Sequence, residues 1–237
     1  MTPEAFTEQL KAACGLRLQS VVLFGSAVSG DHAGRRSDYN LLLVLDRLGL
    51  DTLKHLAVPT RAWVKAGNSV PLLFSPDTLA QSADVFAIEF ADLKDAHRVL
   101  FGADVIAPLD IDLAALRHEL EHDLQGKLMQ LRAEYLLTRG RPQHVVNLMI
   151  ASLSSFLVLF RASLRLYQPT VPAKKLDALA ELAKHTPVNI AVFEVVQRLK
   201  AGRRVREVVA DTLFAEYLQE IERIVDAVDA VLHPNTR

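Results

Sequence analysis

Residues 21–46 read VVLFGSAVSGDHAGRRSDYNLLLVLD, two short apolar runs separated by a loop of Gly, Ser and charged residues. Apolar runs this short, bounded by turn-forming residues, predict buried strands rather than helices. Leu18–Phe24 and Asn40–Leu45 are therefore read as strands. The first ends in Gly25-Ser26 and feeds a helix start, where backbone N–H groups and a hydroxyl can face an anion. The second opens on Asp38-Tyr39-Asn40. Side chains two apart on a strand share a face, so positions 38 and 40 are expected to project together toward whatever Gly25 and Ser26 hold.

Outward from this stretch the pattern changes twice. Toward the N-terminus, Thr2-Pro3-Glu4 opens a helix with Thr2 as N-cap, and Phe6, Leu10 and Ala13 share its face until Gly15. Toward the C-terminus, residues 51–65 predict a helix disturbed at Pro59, residues 70–74 a third strand, and Ser75-Pro76-Asp77 another helix start. From Asp112 the strand signals stop, and Leu113, Leu116, Leu120, Leu124, Leu128 and Leu131 form one helical stripe. Further helices are expected over 143–167, 173–185, 190–200 and 207–232, divided by Gly140, Pro142, Pro169, Pro187 and Gly202. The reading is an α+β chain: a mixed-sheet domain over residues 1–108, a hinge at Pro108-Leu109-Asp110, and an all-α bundle over 109–237.

Bulk composition narrows the function classes. A chain of 237 residues with 27 Lys and Arg against 28 acids carries no global field toward nucleic acid or an anionic membrane. The single Cys14 excludes an internal disulfide or a thiolate cluster and reads as a small buried residue of the first helix. The N-terminal MTPEAFTEQL lacks the pattern of a secretory signal, and no apolar run approaches the roughly 18 residues of a membrane span, so a cytoplasmic location is expected.

Phe24-Gly25-Ser26, the loop through Ser37, and Asp38-Tyr39-Asn40-Leu41 resemble the signature of the DNA polymerase beta-like nucleotidyltransferase superfamily: Gly-Ser, a loop, then two acids one residue apart in an apolar strand. The resemblance covers about the first hundred residues, and the helical remainder is similar to the bundle of bacterial members, aminoglycoside nucleotidyltransferases among them. It implies that Gly25 and Ser26 bind a nucleoside triphosphate and that positions 38 and 40, with a third acid from a later strand, hold two Mg²⁺ ions. Magnesium takes hard oxygen ligands, and an in-line displacement gains from a metal on both entering and leaving oxygens. The chain departs from the pattern twice. Asn40 is a neutral amide, and residues 69–74, SVPLLF, hold no acid. Asp77 and Glu89 are the acids that could replace the missing one, although capping explains Asp77 more simply.

Three other patterns compete for attention. His118-Glu119-Leu120-Glu121-His122 fits the zinc-protease spacing, but the leucine stripe places both histidines on the opposite, wet face. Arg139 and His144 have the spacing of a ribonuclease motif found in some helical domains associated with nucleotidyltransferases, but Gly140 and Pro142 between them predict a loop. Arg198, Lys200, Arg203, Arg204 and Arg206 could clamp phosphates, yet no aromatic residue is interleaved to stack on bases, so a nucleic-acid partner is not expected. Lys127 and Arg132 in the first bundle helix are the candidates there for meeting a triphosphate, with a plain solvent face as the alternative.

Three functions follow. The first is a nucleotidyltransferase-fold protein with a silent or weakened site that binds a nucleotide or a partner. The second is a live Mg-dependent transferase using Asp38 and Asn40. The third is a helical scaffold whose apolar bundle forms a homodimer or holds another protein.

Overall fold

The structure is a computed structural model that describes residues 1–29, 38–203 and 209–231. These residues form an α+β architecture with a four-stranded mixed sheet and extensive helix, of nucleotidyltransferase-like type with a helical domain. They divide into two compact units, Met1–Asp112 and Leu113–Arg237.

In the first unit, helix α1 (Pro3–Cys14) starts where the Thr2 hydroxyl accepts from the Ala5 N–H at 3.2 Å. The strands are β1 (Leu18–Phe24), β2 (Asn40–Leu45), β3 (Leu72–Phe74) and β4 (His97–Gly102), in the order β3-β2-β1-β4. β1 runs antiparallel to β2 and β4, whereas β2 and β3 are parallel. A parallel pair needs a crossover, and helix α3 (Leu50–Lys65) supplies it. The short helices are α2 (Ser26–Ser29), α4 (Pro76–Ser82) and α5 (Ala87–Asp95).

The sheet is buried on both sides, and strand alternation decides which residue goes where. Val21, Leu23, Leu41 and Leu43 pack with Phe6, Leu10 and Trp63 from α1 and α3. Val22, Leu42 and Val44 pack with Leu79, Phe90, Leu93 and Ile106. At the end of β4, Gly102 has φ +78°, and a Cβ there would stand 1.8 Å from the Gln19 carbonyl oxygen, so backbone meets backbone at a place only glycine fills.

Three expectations about local structure change. The helix over Pro59 is unbroken; Pro59 is buried within α3, and the amide hydrogen bond it cannot make is offset by packing. β3 starts at Leu72 rather than residue 70, since Pro71 has no N–H to give a ladder. β4 was not anticipated from the sequence.

The second unit comprises α6 (Leu113–Thr138), α7 (Pro142–Ser163), α8 (Lys175–Leu182), α9 (Ala191–Lys200) and α10 (Ala210–Ala230). The α6 stripe is buried from Leu116 through Leu131, with Leu113 exposed at its start. α7 packs on α6, α8, α9 and α10. Together with its closing turn (Pro142–Leu166) it is long and apolar enough by length and composition to cross a membrane, with a mean hydropathy of 1.8 over an 18-residue stretch within it. That corrects the expectation that no run approaches such a length. Its apolarity has a local cause in the bundle: Leu153, Phe156 and Phe160 are buried, and Phe156 and Phe160 meet Tyr217 and Phe193 edge-on.

Candidate functional site

The end of the sheet near Gly25 is assembled by register. Asn40 on β2 pairs with Phe24 on β1, which pairs with His97 on β4, so these three residues form a row across the sheet. Gly25 follows with φ +78°, a conformation that favours glycine, and its carbonyl accepts from the Val28 N–H at 2.9 Å to close the turn into α2. The Asn40 amide packs on that turn: a Cβ on Gly25 would lie 3.2 Å from Asn40 Nδ2. Position 25 is thus held to glycine by its dihedral and by its neighbour. The Ser26 hydroxyl, expected as an anion ligand, lies outside what the structure describes.

Asp38 is engaged on the other side of β2. The Ser69 hydroxyl donates to Asp38 Oδ2. The same segment is tied down twice more: the Tyr39 N–H donates to Asn68 Oδ1 at 3.3 Å, and the Trp63 indole N–H donates to the Ser69 carbonyl at 2.8 Å. Trp63 is fully buried and stacked on Phe6 with ring centroids 4.6 Å apart. Asp38 and Asn40 are therefore drawn to different partners, the first to the approach to β3 and the second to the turn after β1.

Sequence reading missed Ser69, Asn68 and the His97–Asp104 pair. His97 Nε2 lies 3.1 Å from both Asp104 carboxylate oxygens, and Asp104 Oδ1 accepts from the Ile106 and Ala107 N–H groups at 3.0 Å. The Ala107 N–H, and after it the His97 ring and the Ile106 N–H, hold the Asp104 carboxyl below the usual carboxylate range against the opposing effect of burial. A serine or histidine in such a segment carries no local pattern that would single it out.

Two Mg²⁺ ions call for several hard oxygens with charge to offset theirs. Asp38 and Asn40 offer one carboxylate and one amide, and among the described residues no group of three or more His, Cys, Asp and Glu stands close enough to hold a metal. Neither Asp77, in the first turn of α4, nor Glu89, in the first turn of α5, completes such a group. The described donor set does not fit a two-ion centre.

The remaining candidates lie elsewhere. Lys127 and Arg132 are on α6; Arg132 pairs with Glu222 at 2.7 Å, and Lys127 reaches Gln130 Oε1 at 3.5 Å. The side chains of His118 and His122 are 72% and 86% exposed, as the opposite side of a buried leucine stripe requires. Arg139 sits at φ 53° between α6 and α7, while His144 is in the first turn of α7. Arg198 and Lys200 end α9, Lys200 donates to the Ser154 hydroxyl, and Arg203 is exposed. Arg204 and Arg206 lie outside the described residues.

The fold defines the class first: a nucleotidyltransferase-like α+β unit followed in the chain by a helical one. No protein-family model matches the chain, and no curated protein does. Among solved structures, spectinomycin adenyltransferase AAD(9) from Enterococcus faecialis, determined with ATP and spectinomycin, is similar with a TM-score of 0.55 at 12% identity, over 96% of this chain and 98% of that one. At that identity the likeness establishes the fold.

Proposed function

We propose that the first unit binds a nucleoside triphosphate without transferring its nucleotidyl group, so that the chain works as a nucleotide-responsive module on a transferase fold. The observation that carries this reading is the use of the signature positions. Asn40 supplies an amide against Gly25, and Asp38 accepts from Ser69, in a setting where the described acids and histidines form no metal-holding group. What supports a retained nucleotide is the turn itself, since a glycine at φ +78° before a helix start leaves backbone N–H groups for a phosphate.

The test is calorimetric titration of the full chain with each nucleoside triphosphate in magnesium and again in EDTA, alongside a pyrophosphate assay. The expected result is binding that changes little on chelation, with no pyrophosphate. Reproducible pyrophosphate release would overturn the silent site, and an absence of binding in both buffers would overturn the nucleotide module.

A second reading is favoured by the likeness to an adenyltransferase along nearly the whole chain. It is a live Mg-dependent transferase that moves a nucleoside monophosphate to a small-molecule or protein hydroxyl. It requires Asp38→Ala to abolish turnover.

A further inference from the structure

The helical unit holds a cleft of about 190 Å³ between α6 and α7, lined on the α6 side by Lys127, Gln130 and Glu134. It is smaller than the roughly 300 Å³ at which drug-sized pockets begin. α7 faces it with Ala151, Ser152 and Ser155, and Leu131 and Phe156 give it an apolar base. On an otherwise apolar helix, the segment Ala151-Ser152-Leu153-Ser154-Ser155 presents small and hydroxylic side chains at its exposed and half-buried positions, which keeps the cleft open.

The charges are arranged to be bridged. Lys127 and Glu134 are seven residues apart, about 10.5 Å along a helix at 1.5 Å per residue, too far for the one-turn pairing of opposite charges. Gln130 stands between them: Lys127 Nζ lies 3.5 Å from its Oε1, and its Nε2 donates to Glu134 Oε1 at 2.8 Å. The wall therefore presents a cation, an amide and an anion in line over an apolar base. Behind it, the Ser152 hydroxyl lies 3.1 Å from the hydroxyl of the fully buried Tyr217, which fixes the polar group at the floor.

We infer that this cleft binds a small zwitterion of the free α-amino acid class. Its carboxylate meets Lys127 and Ser155, its ammonium meets Glu134, and its side chain lies over Leu131 and Phe156. Such a molecule complements both ends of the Lys127–Gln130–Glu134 line at once, and its charges pair with groups of opposite sign. The inference does not use the Gly25 turn on which the nucleotide reading rests, and it gives Lys127 a carboxylate rather than a triphosphate.

The test is a calorimetric and thermal-shift screen of the full chain against each common proteinogenic amino acid at millimolar concentration, followed by the N-acetyl and α-amide derivatives of any that bind. One or a few amino acids are expected to bind, and each derivative, having lost one charge, to bind roughly tenfold or more weakly. Lys127→Met and Glu134→Gln should each weaken binding by a similar factor, and Ser155→Phe should abolish it by filling the cleft. All three positions are at least partly exposed, so circular dichroism should show unchanged folding. The inference is overturned if no amino acid binds, if the derivatives bind as tightly as the parent, or if Ser155→Phe binds normally.

Discussion

In the first unit a sheet sends alternate residues into two separate cores, one under α1 and α3 and the other under α4 and α5, and polar hydrogen bonds tie the strand ends together. In the second, one helix is the common partner of four others, and the core is a continuous mass of Leu, Phe and Tyr along α7. The contrast concerns where specificity is stored. A sheet with a short parallel edge strand relies on point contacts, such as Asp38 with Ser69, to fix the approach to that strand. A bundle relies on the fit of many interchangeable apolar side chains.

The largest effects should separate the two cores. Trp63 is the only tryptophan in the chain, and its fluorescence reports the first unit, while the helical signal in circular dichroism is dominated by the second. Phe6→Ala, which removes the ring stacked on Trp63, should cost about 3–5 kcal/mol and lower the denaturation midpoint seen by fluorescence. Phe160→Ala in α7 should cost a similar amount and lower the midpoint seen by circular dichroism while leaving the fluorescence transition in place. If either substitution moves both transitions together, the units unfold as one cooperative body and the contrast between them fails.

A smaller effect sharpens the comparison at the candidate site. Asp38→Ala and Ser69→Ala should each destabilise the first unit, and the double variant should fall short of their sum by about 1 kcal/mol, the coupling expected of a partly exposed charge-assisted hydrogen bond. Additive losses would show that Ser69 does not hold Asp38 in solution.

The smallest effect is the pH dependence of the Asp104 turn. Its carboxyl titrates lower in the folded chain than in the unfolded one, so its stabilising contribution is present above the unfolded carboxylate range, about pH 4, and fades as the pH falls through the folded value. Asp104→Asn should flatten that part of the acid limb measured by fluorescence, and an unchanged acid limb would remove Asp104 from the account.

How much of this was legible in the sequence depends on how far apart the interacting residues are. β1, β2 and the α6 stripe could be read because their signal is local: an apolar run between turn residues, or leucines repeating at helical spacing. β4 could not, since it follows a helix directly and is defined by pairing with β1 more than seventy positions earlier. The Gly25, Asp38 and Asn40 positions stood out through a motif, whereas Ser69 is an ordinary loop serine whose role exists only once β3 lies beside β2. Pro59 shows the reverse error, a strong local rule set aside by tertiary packing.

The central position of α7 has a consequence for synthesis. Its last partner, α10, begins at Ala210, 47 residues after Ser163 (210 − 163). At the roughly 5–20 residues per second of translation, that is a delay of roughly 2–10 s during which Phe156 is made but lacks Tyr217, the α10 ring that meets it edge-on. Transiently exposed apolar surface of this kind is what makes a folding chain prone to aggregate. Slower translation between codons 163 and 210 should therefore lengthen that exposure and lower the yield of soluble protein in a cell.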